Sequence, residues 1–231
     1  MKQLHVMGGG AAQGIVGQLK SRFVAQSGCD IEGTFGAVGM MKDRLLGGAA
    51  CDVLILTQAL IAQLTESGNV VAGSARPLGV VKTGVAVKVG ETVPKVDTAD
   101  ALKAVLLGAT GIYFPDPVKA TAGIHFMKVL QSLGIDGELA SRLRPFPNGA
   151  TAMREMSQCA EAGLVGCTQV TEILYTPGVV LAGDLPKVFE LATVYTAAVC
   201  SKAQEPVLAA QLISLLIGDE AAELRRSGGF E

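Results

Sequence analysis

Four glycine-rich, almost uncharged segments carry the strongest chemical signal in the sequence: GGGAAQG at Gly8–Gly14, GAVGM at Gly36–Met40, ATAG at Ala120–Gly123 and NGAT at Asn148–Thr151. Each stands where a β-type run gives way to a helical one, so each opens a helix. A helix start presents N–H groups without internal partners at the positive end of the macrodipole, and glycine lets an anion approach that backbone closely. Several such starts suit a small anion without requiring a cationic side chain. One turn of this kind more often only reverses the chain, so the weight rests on the set. The expected ligand-binding positions are Gly9, Gly10, Ala11, Val38, Gly39, Thr121, Ala122, Gly149, Ala150 and Thr168.

The better-known phosphate motifs fail on inspection. GGGAAQG lacks the Lys and Ser/Thr of a P-loop, and Gln13 stands where a dinucleotide fingerprint needs its third glycine. With two histidines and no C-x-x-C, the sequence offers no metal ligand set, and no cofactor is expected. Proton-transfer candidates are Lys119 in the turn before a helix, His125 one turn after Thr121, and Cys167 at a strand end. Each has an ordinary alternative as a solvated lysine, a packed histidine or an inert core thiol. Asp116, between two prolines, reads as a turn cap.

The elements that must position these residues alternate. Leu4 and Val6 read as a strand, and Ile15, Leu19 and Phe23 recur every four residues as a helix face. Ile31–Phe35 is the next strand, Met40, Met41, Leu45 and Leu46 the next helix stripe, and Val53–Leu56 a strand before an Ala59–Leu64 helix. This spacing predicts a parallel α/β sheet. Leu78–Val89 is a long β-rich run, after which the alternation restarts: helix Thr98–Leu107, strand Gly111–Phe114, a helix with Ile124, Met127 and Leu130, strand Arg144–Phe146, a helix with Met153 and Met156, and strand Gly163–Cys167. A second long β run, Leu191–Cys200, precedes two helices over Glu205–Ile217 and Asp219–Arg226. Two long strands flanking a self-contained block predict a discontinuous lobe 1 (1–83 and 198–231) and an inserted lobe 2 (84–197).

Composition narrows the function. Nineteen Lys and Arg against 21 Asp and Glu leave a net charge of −2, and Trp is absent, which argues against nucleic acid as a partner. Hydrophobic residues at 49% against 17% charged require a folded core. Charge-free apolar stretches such as Val53–Thr65 and Pro206–Gly218 fall short of the roughly 20 residues a bilayer demands, so membrane insertion is not expected. The N-terminus reads as a strand and not as a signal peptide, so the chain as written is expected to be cytoplasmic, or periplasmic if a signal was removed. Five cysteines, odd in number and widely spaced, read as mostly buried reduced thiols.

The order of the turns resembles the periplasmic molybdate-binding proteins, the substrate-binding components of ABC importers, and their wider family of type II binding proteins. The resemblance rests on the first strand into GGGAA, on FGAVGMMKDRLLGGAACDVLI, on DPVKATAGIHFMKVLQSLG and on the C-terminal EAAELRRSGGF. It implies an α/β, two-lobed type II periplasmic-binding-protein-like fold with a hinge and an interlobe cleft, closing on a small anion, with an ABC importer as partner if the chain is exported. The molybdate binders place serines where this chain has Gly9, Gly10 and Ala11, then Ala37 and Val38, and a tyrosine near the strand end occupied by Cys167. Without those hydroxyls an organic carboxylate fits the neutral walls better than a tetrahedral oxyanion. A branch of the family resembles aconitate isomerases, which implies the alternative of a cofactor-free allylic proton shift in a tricarboxylate, with Lys82, Lys119 and Arg144 as the available cations.

Overall fold

The computed structural model describes residues 2–231. The chain divides into two compact units, Met1–Val81 with Thr193–Glu231, and Lys82–Ala192. The sequence pattern puts the divisions at 83/84 and 197/198. In the structure they fall inside one long strand and at the first residue of another, where no turn chemistry marks them.

Unit 1 opens with β1 (Lys2–Gly9), α1 (Gln13–Ser27), β2 (Cys29–Gly36), α2 (Val38–Leu46), β3 (Val53–Thr57) and α3 (Gln58–Glu66), and β4 (Arg76–Lys88) leads out of it. Unit 2 continues with α4 (Ala99–Gly108), β5 (Gly111–Pro115), α5 (Thr121–Ser132), α6 (Asp136–Leu139), β6 (Leu143–Phe146), α7 (Gly149–Gln158), β7 (Leu164–Gln169), α8 (Val170–Leu174) and β8 (Val179–Asp184). The chain returns to unit 1 through β9 (Ala192–Val199), α9 (Pro206–Ile217) and α10 (Ala222–Ser227).

In unit 1 the strands run in the order β2-β1-β3-β9. β1 is parallel to β2 and β3, whereas β9 is antiparallel to β3 with Val53 opposite Val199. Ile15, Leu19 and Phe23 of α1 are buried, and the helix stops at Gly28, which takes the left-handed φ of 66° that glycine tolerates. On α2 the buried residues are Val38 and Met41, with Leu45 packed against the core; Leu46, assigned to the stripe by its apolarity, is 55% exposed. One position off a 100° repeat is enough to turn a leucine to solvent.

Unit 2 pairs β5 parallel to β6 and β7, and β4 antiparallel to β7 and β8. The parallel arrangement expected from alternation therefore holds for β1–β3 and β5–β7. β4, β8 and β9 reach their neighbours without a βαβ crossover and run antiparallel. Two cores flank the β7 region: one contains Val85, Phe114, Phe126, Val165 and Cys167, the other Ala86, Met153, Met156 and Leu164. Alternation along β7 sets the rest. Gly166 and Thr168 share the α7 face, where a Cβ on Gly166 would lie 2.5 Å from Met153 Cε. Gln169 shares the opposite face with Cys167. The segment 170–190 carried no prediction because α8 is too short for periodicity and β8 shows no alternation of burial.

Candidate functional site

Helix capping separates the four glycine-rich turns. Thr57, Thr98 and Asn148 cap α3, α4 and α7, each accepting a first-turn N–H on its side-chain oxygen. The start of α9 is capped from a distance, with Asp52 Oδ1 accepting the N–H groups of Gln204 and Glu205 at 2.6 and 3.0 Å. The turn into α1, the start of α2 and the start of α5 have no side-chain cap. Their leading residues Ala11, Ala12, Ala37, Val38, Ala120 and Ala122 are nevertheless buried. The Ala120 N–H already donates to the Asp116 carbonyl at 3.2 Å, and at the others the small side chains leave room for an acceptor to approach the backbone.

In unit 1 the first two turns meet. Gly9 ends β1 and leads through one 3-10 turn, Gly10–Ala12, into α1. A Cβ on Gly9 would fall 2.8 Å from Val38 Cγ1 and 3.0 Å from Tyr195 Cε1. The start of α2 and a buried phenol ring of β9 therefore stand against the Gly9 backbone. Gly39, the next residue of α2, is half-buried. Tyr195 was not foreseen, since nothing in the linear sequence separates it from the apolar residues of its strand.

In unit 2, α5 starts hard against the end of β5: a Cβ on Gly123 would lie 2.2 Å from the carbonyl oxygen of Pro115. Thr121 is half-buried at this start. Asp116 caps the preceding turn as expected, its Oδ1 accepting the N–H groups of Val118 and Lys119 at 2.7 and 2.8 Å. Lys119 is exposed beside it.

The fourth turn already holds an acceptor, a carboxyl of the protein's own. Glu172 is 6% exposed, its Oε1 accepts the Ala150 N–H at 3.3 Å, and its Oε2 accepts the Thr168 hydroxyl. A Cβ on Gly149 would come within 1.9 Å of Thr168 Oγ1 and 2.0 Å of Glu172 Oε2, so only glycine fits. Gly149, Ala150 and Thr168, read as ligand donors, thus converge on Glu172. Burial pushes this carboxyl above the usual glutamate range, opposed by hydrogen bonds from Thr168 and from the N–H groups of Ala150, Gln169 and Gly149. The sequence signal was present as T-x-x-x-E, but nothing in it says that α8 folds Glu172 back onto α7.

Gln169 is the other residue the sequence reading missed. It is 3% exposed, and neither Nε2 nor Oε1 has a hydrogen-bond partner. Its cross-strand partner Thr83, 1% exposed, also lacks a partner for Oγ1. Residues directly opposite on antiparallel strands project to one face, so the amide and the hydroxyl lie together. Because β5 and β7 are parallel neighbours, this end of β7 is also the end of the sheet at which α5 begins. An unpaired buried amide is expensive, and a ligand that satisfies it recovers that cost.

The proton-transfer candidates fare otherwise. Cys167 is fully buried in the apolar core of unit 2, where burial pushes its thiol well up, which agrees with the alternative of an inert core thiol and not with a proton-transfer role. His125 Nε2 lies 2.7 Å from the Phe189 carbonyl oxygen, a contact that fixes the ring to the chain leading into β9. Arg144 donates to Tyr113 Oη at 2.9 Å and to Glu161 Oε2 at 2.7 Å, and Lys82 stands 3.8 Å from Asp184 Oδ2. Among the described residues no group of three or more His, Cys, Asp or Glu is placed to hold a metal ion. A groove of about 840 Å³ between α1 and α9, lined by Phe23, Val207 and Leu215, includes none of the turn residues.

Comparison with known proteins adds the family. Residues 4–231 match the bacterial extracellular solute-binding proteins, and the chain belongs to that family. It is similar to an aconitate isomerase of Pseudomonas sp., 26% identical over 183 residues, covering 78% of this chain and 66% of that protein's length. Among solved structures it is similar to the periplasmic molybdate-binding protein of Azotobacter vinelandii, with a TM-score of 0.81 and 20% identity over 99% of this chain and 98% of that one. It is also similar to the sulfate-binding protein of Mycobacterium tuberculosis, with a TM-score of 0.75 and 15% identity over 100% and 86% of the two chains. At these identities the solved structures establish the fold, α/β and two-lobed as in periplasmic binding proteins. Among the described residues no helix is long and apolar enough to cross a membrane.

Proposed function

We propose that this chain is a solute-binding protein for a small anion, held chiefly by backbone N–H groups at the uncapped starts of α1, α2 and α5. The single observation that carries the reading is the contrast among the four glycine-rich turns: the start of α7 is capped by Asn148 and filled by Glu172, whereas the buried starts leading into α1, α2 and α5 have no side-chain cap. The donors assigned are Gly9, Gly10, Ala11, Val38, Gly39, Thr121 and Ala122, with the Gln169 amide as a side-chain contact. Gly149, Ala150 and Thr168 act one step back, by holding Glu172.

An organic carboxylate is the favoured ligand class. The walls at these starts are aliphatic, Lys82 and Arg144 are engaged with carboxylates in unit 2, and Gln169 offers a donor and an acceptor on one group. Periplasmic location and delivery to an ABC importer are part of the proposal, in keeping with the family. A thermal-shift panel at fixed ionic strength tests it with citrate, both aconitates and simpler carboxylates against molybdate, tungstate, sulfate and phosphate. Ligand at 100 times its Kd stabilises by about 2.7 kcal/mol. A response confined to carboxylates is the expected result, a response to molybdate or tungstate reassigns the ligand class, and silence throughout removes the reading.

A second reading is a cofactor-free isomerase moving an allylic proton in a tricarboxylate. The relative from Pseudomonas supports it, as does Glu172, a buried carboxyl with a raised pKa of the kind general acid–base chemistry uses. Deuterium uptake from solvent into aconitate distinguishes the two: the isomerase exchanges, and the binding protein does not.

A further inference from the structure

We propose that Cys51 and Cys200 form a redox-active pair, a site where exchange with a low-molecular-weight disulfide closes a covalent link within unit 1. The inference stands on the geometry of unit 1 and is independent of the anion-binding reading.

β3 and β9 are antiparallel with Val53 opposite Val199, and the Cys200 N–H continues the ladder by donating to the Asp52 carbonyl at 3.0 Å. The chain bends at Asp52, just before β3, which frees Cys51 from the alternation of the strand. Its thiol is in hydrogen-bond contact with that of Cys200 and donates to the Val53 carbonyl at 3.2 Å. Cys200 thus stands opposite Asp52, and Cys51 is the next residue along, released from the strand by the bend.

Asp52 holds this place firmly. Its N–H donates to the His5 carbonyl at 2.8 Å, its Oδ2 accepts the His5 N–H at 2.8 Å, and its Oδ1 takes both N–H groups ahead of α9. The two sulfurs therefore meet because the backbone on either side is tied down. Cys51 is 6% and Cys200 2% exposed, and each adjoins exposed residues, Ala50 on one side and the Ser201–Lys202 turn on the other, so reagent access requires the chain to open there. The other three thiols lie elsewhere: Cys29 on β2, on the far side of β1, and Cys159 and Cys167 in unit 2.

With oxidised glutathione the electrons balance. The Cys200 thiolate attacks one sulfur, breaking the glutathione S–S bond and releasing one glutathione thiolate. Cys51, whose thiol the neighbouring Cys200 and burial hold well above the ordinary range, then gives up its proton as it attacks Cys200 Sγ, forming the protein disulfide and expelling the second glutathione. The protein loses two electrons and two protons, and the glutathione disulfide gains them.

The test treats the full chain with oxidised glutathione at about pH 9, above the ordinary thiol pKa, because the Cys200 thiol and burial hold the Cys51 thiol higher still. The sample is then quenched with acid, alkylated under denaturing conditions and mapped as peptides. The expected product is one peptide pair joined through Cys51 and Cys200, about 2 Da lighter than the two thiol peptides and separated by dithiothreitol. The oxidised chain should also melt several degrees higher. Recovery of both residues as alkylated thiols, as separate glutathione adducts, or joined to other cysteines overturns the proposal. Loss of the cross-link in both Cys51→Ser and Cys200→Ser is expected, and peptide mapping of the unmutated chain stands even if a variant folds poorly.

Discussion

The Ala150 N–H donates to Glu172 Oε1 at 3.3 Å, so the start of α7 is occupied by a carboxyl from the protein itself. Of four helix starts with similar composition, this one alone contributes its acceptor in cis. The other three stay without side-chain caps.

Because burial raises the Glu172 pKa above the ordinary 4.5, the folded state binds the proton more tightly than the unfolded chain does. Its contribution is therefore fully present below about 4.5 and is lost as pH rises through the folded value. Urea unfolding measured across that window is expected to show stability falling with pH, by at most about 1.4 kcal/mol per unit from this group. Glu172→Gln flattens that component. An unchanged slope in the variant would assign the pH dependence to other groups.

Gly149→Ala forces a methyl group against Thr168 Oγ1 and Glu172 Oε2, and is expected to cost about 1–3 kcal/mol in chemical denaturation. Gly17→Ala is the contrasting case. A Cβ there meets nothing within 4 Å in the middle of α1, and the same measurement should show a gain of about 0.5–1 kcal/mol.

Proline deletes an N–H donor but is tolerated in a first helical turn. Ala11→Pro and Gly39→Pro are expected to weaken binding of the panel's responding ligand by roughly 10- to 100-fold, the worth of one charge-assisted hydrogen bond. Calorimetric titration reads the loss, and far-UV circular dichroism checks that α1 and α2 persist. Ala59→Pro, at the Thr57-capped and exposed start of α3, should leave affinity unchanged. Retained affinity in a folded Gly39→Pro protein would remove α2 from the site.

Gln169→Met separates binding from folding because the two effects have opposite signs. Replacing an unpaired buried amide by an apolar side chain of similar length should raise stability by about 1 kcal/mol. The same change should lower ligand affinity, since the amide's donor and acceptor are gone. A parallel loss of stability and affinity would mean that the amide supports the fold instead.

The α/β class, most element positions and the four candidate turns were legible in the sequence, because each depends on neighbours within one element. Ile15, Leu19 and Phe23 announce α1 through their spacing, and glycine before a helical stripe announces a tight turn. Leu46 shows the limit: apolarity placed it on the buried face of α2, and the phase of the helix turned it to solvent. The segment holding α8 and β8 was silent, since five or six residues carry too little periodicity.

What tertiary structure alone decided is which turn remains open to a ligand. In sequence, NGAT looks as available as ATAG. It is closed because α8, which starts directly after β7, brings Glu172 back to Gly149 and Ala150 across 22 residues of chain. The same long-range placement sets Val38 and Tyr195 against Gly9 and leaves Gln169 without a partner. A hydrogen bond or a steric contact between distant residues depends on where two elements pack, and local propensity does not encode that. The sequence by itself determined that this chain presents small-residue helix starts. Packing determined which of them carry their own acceptor.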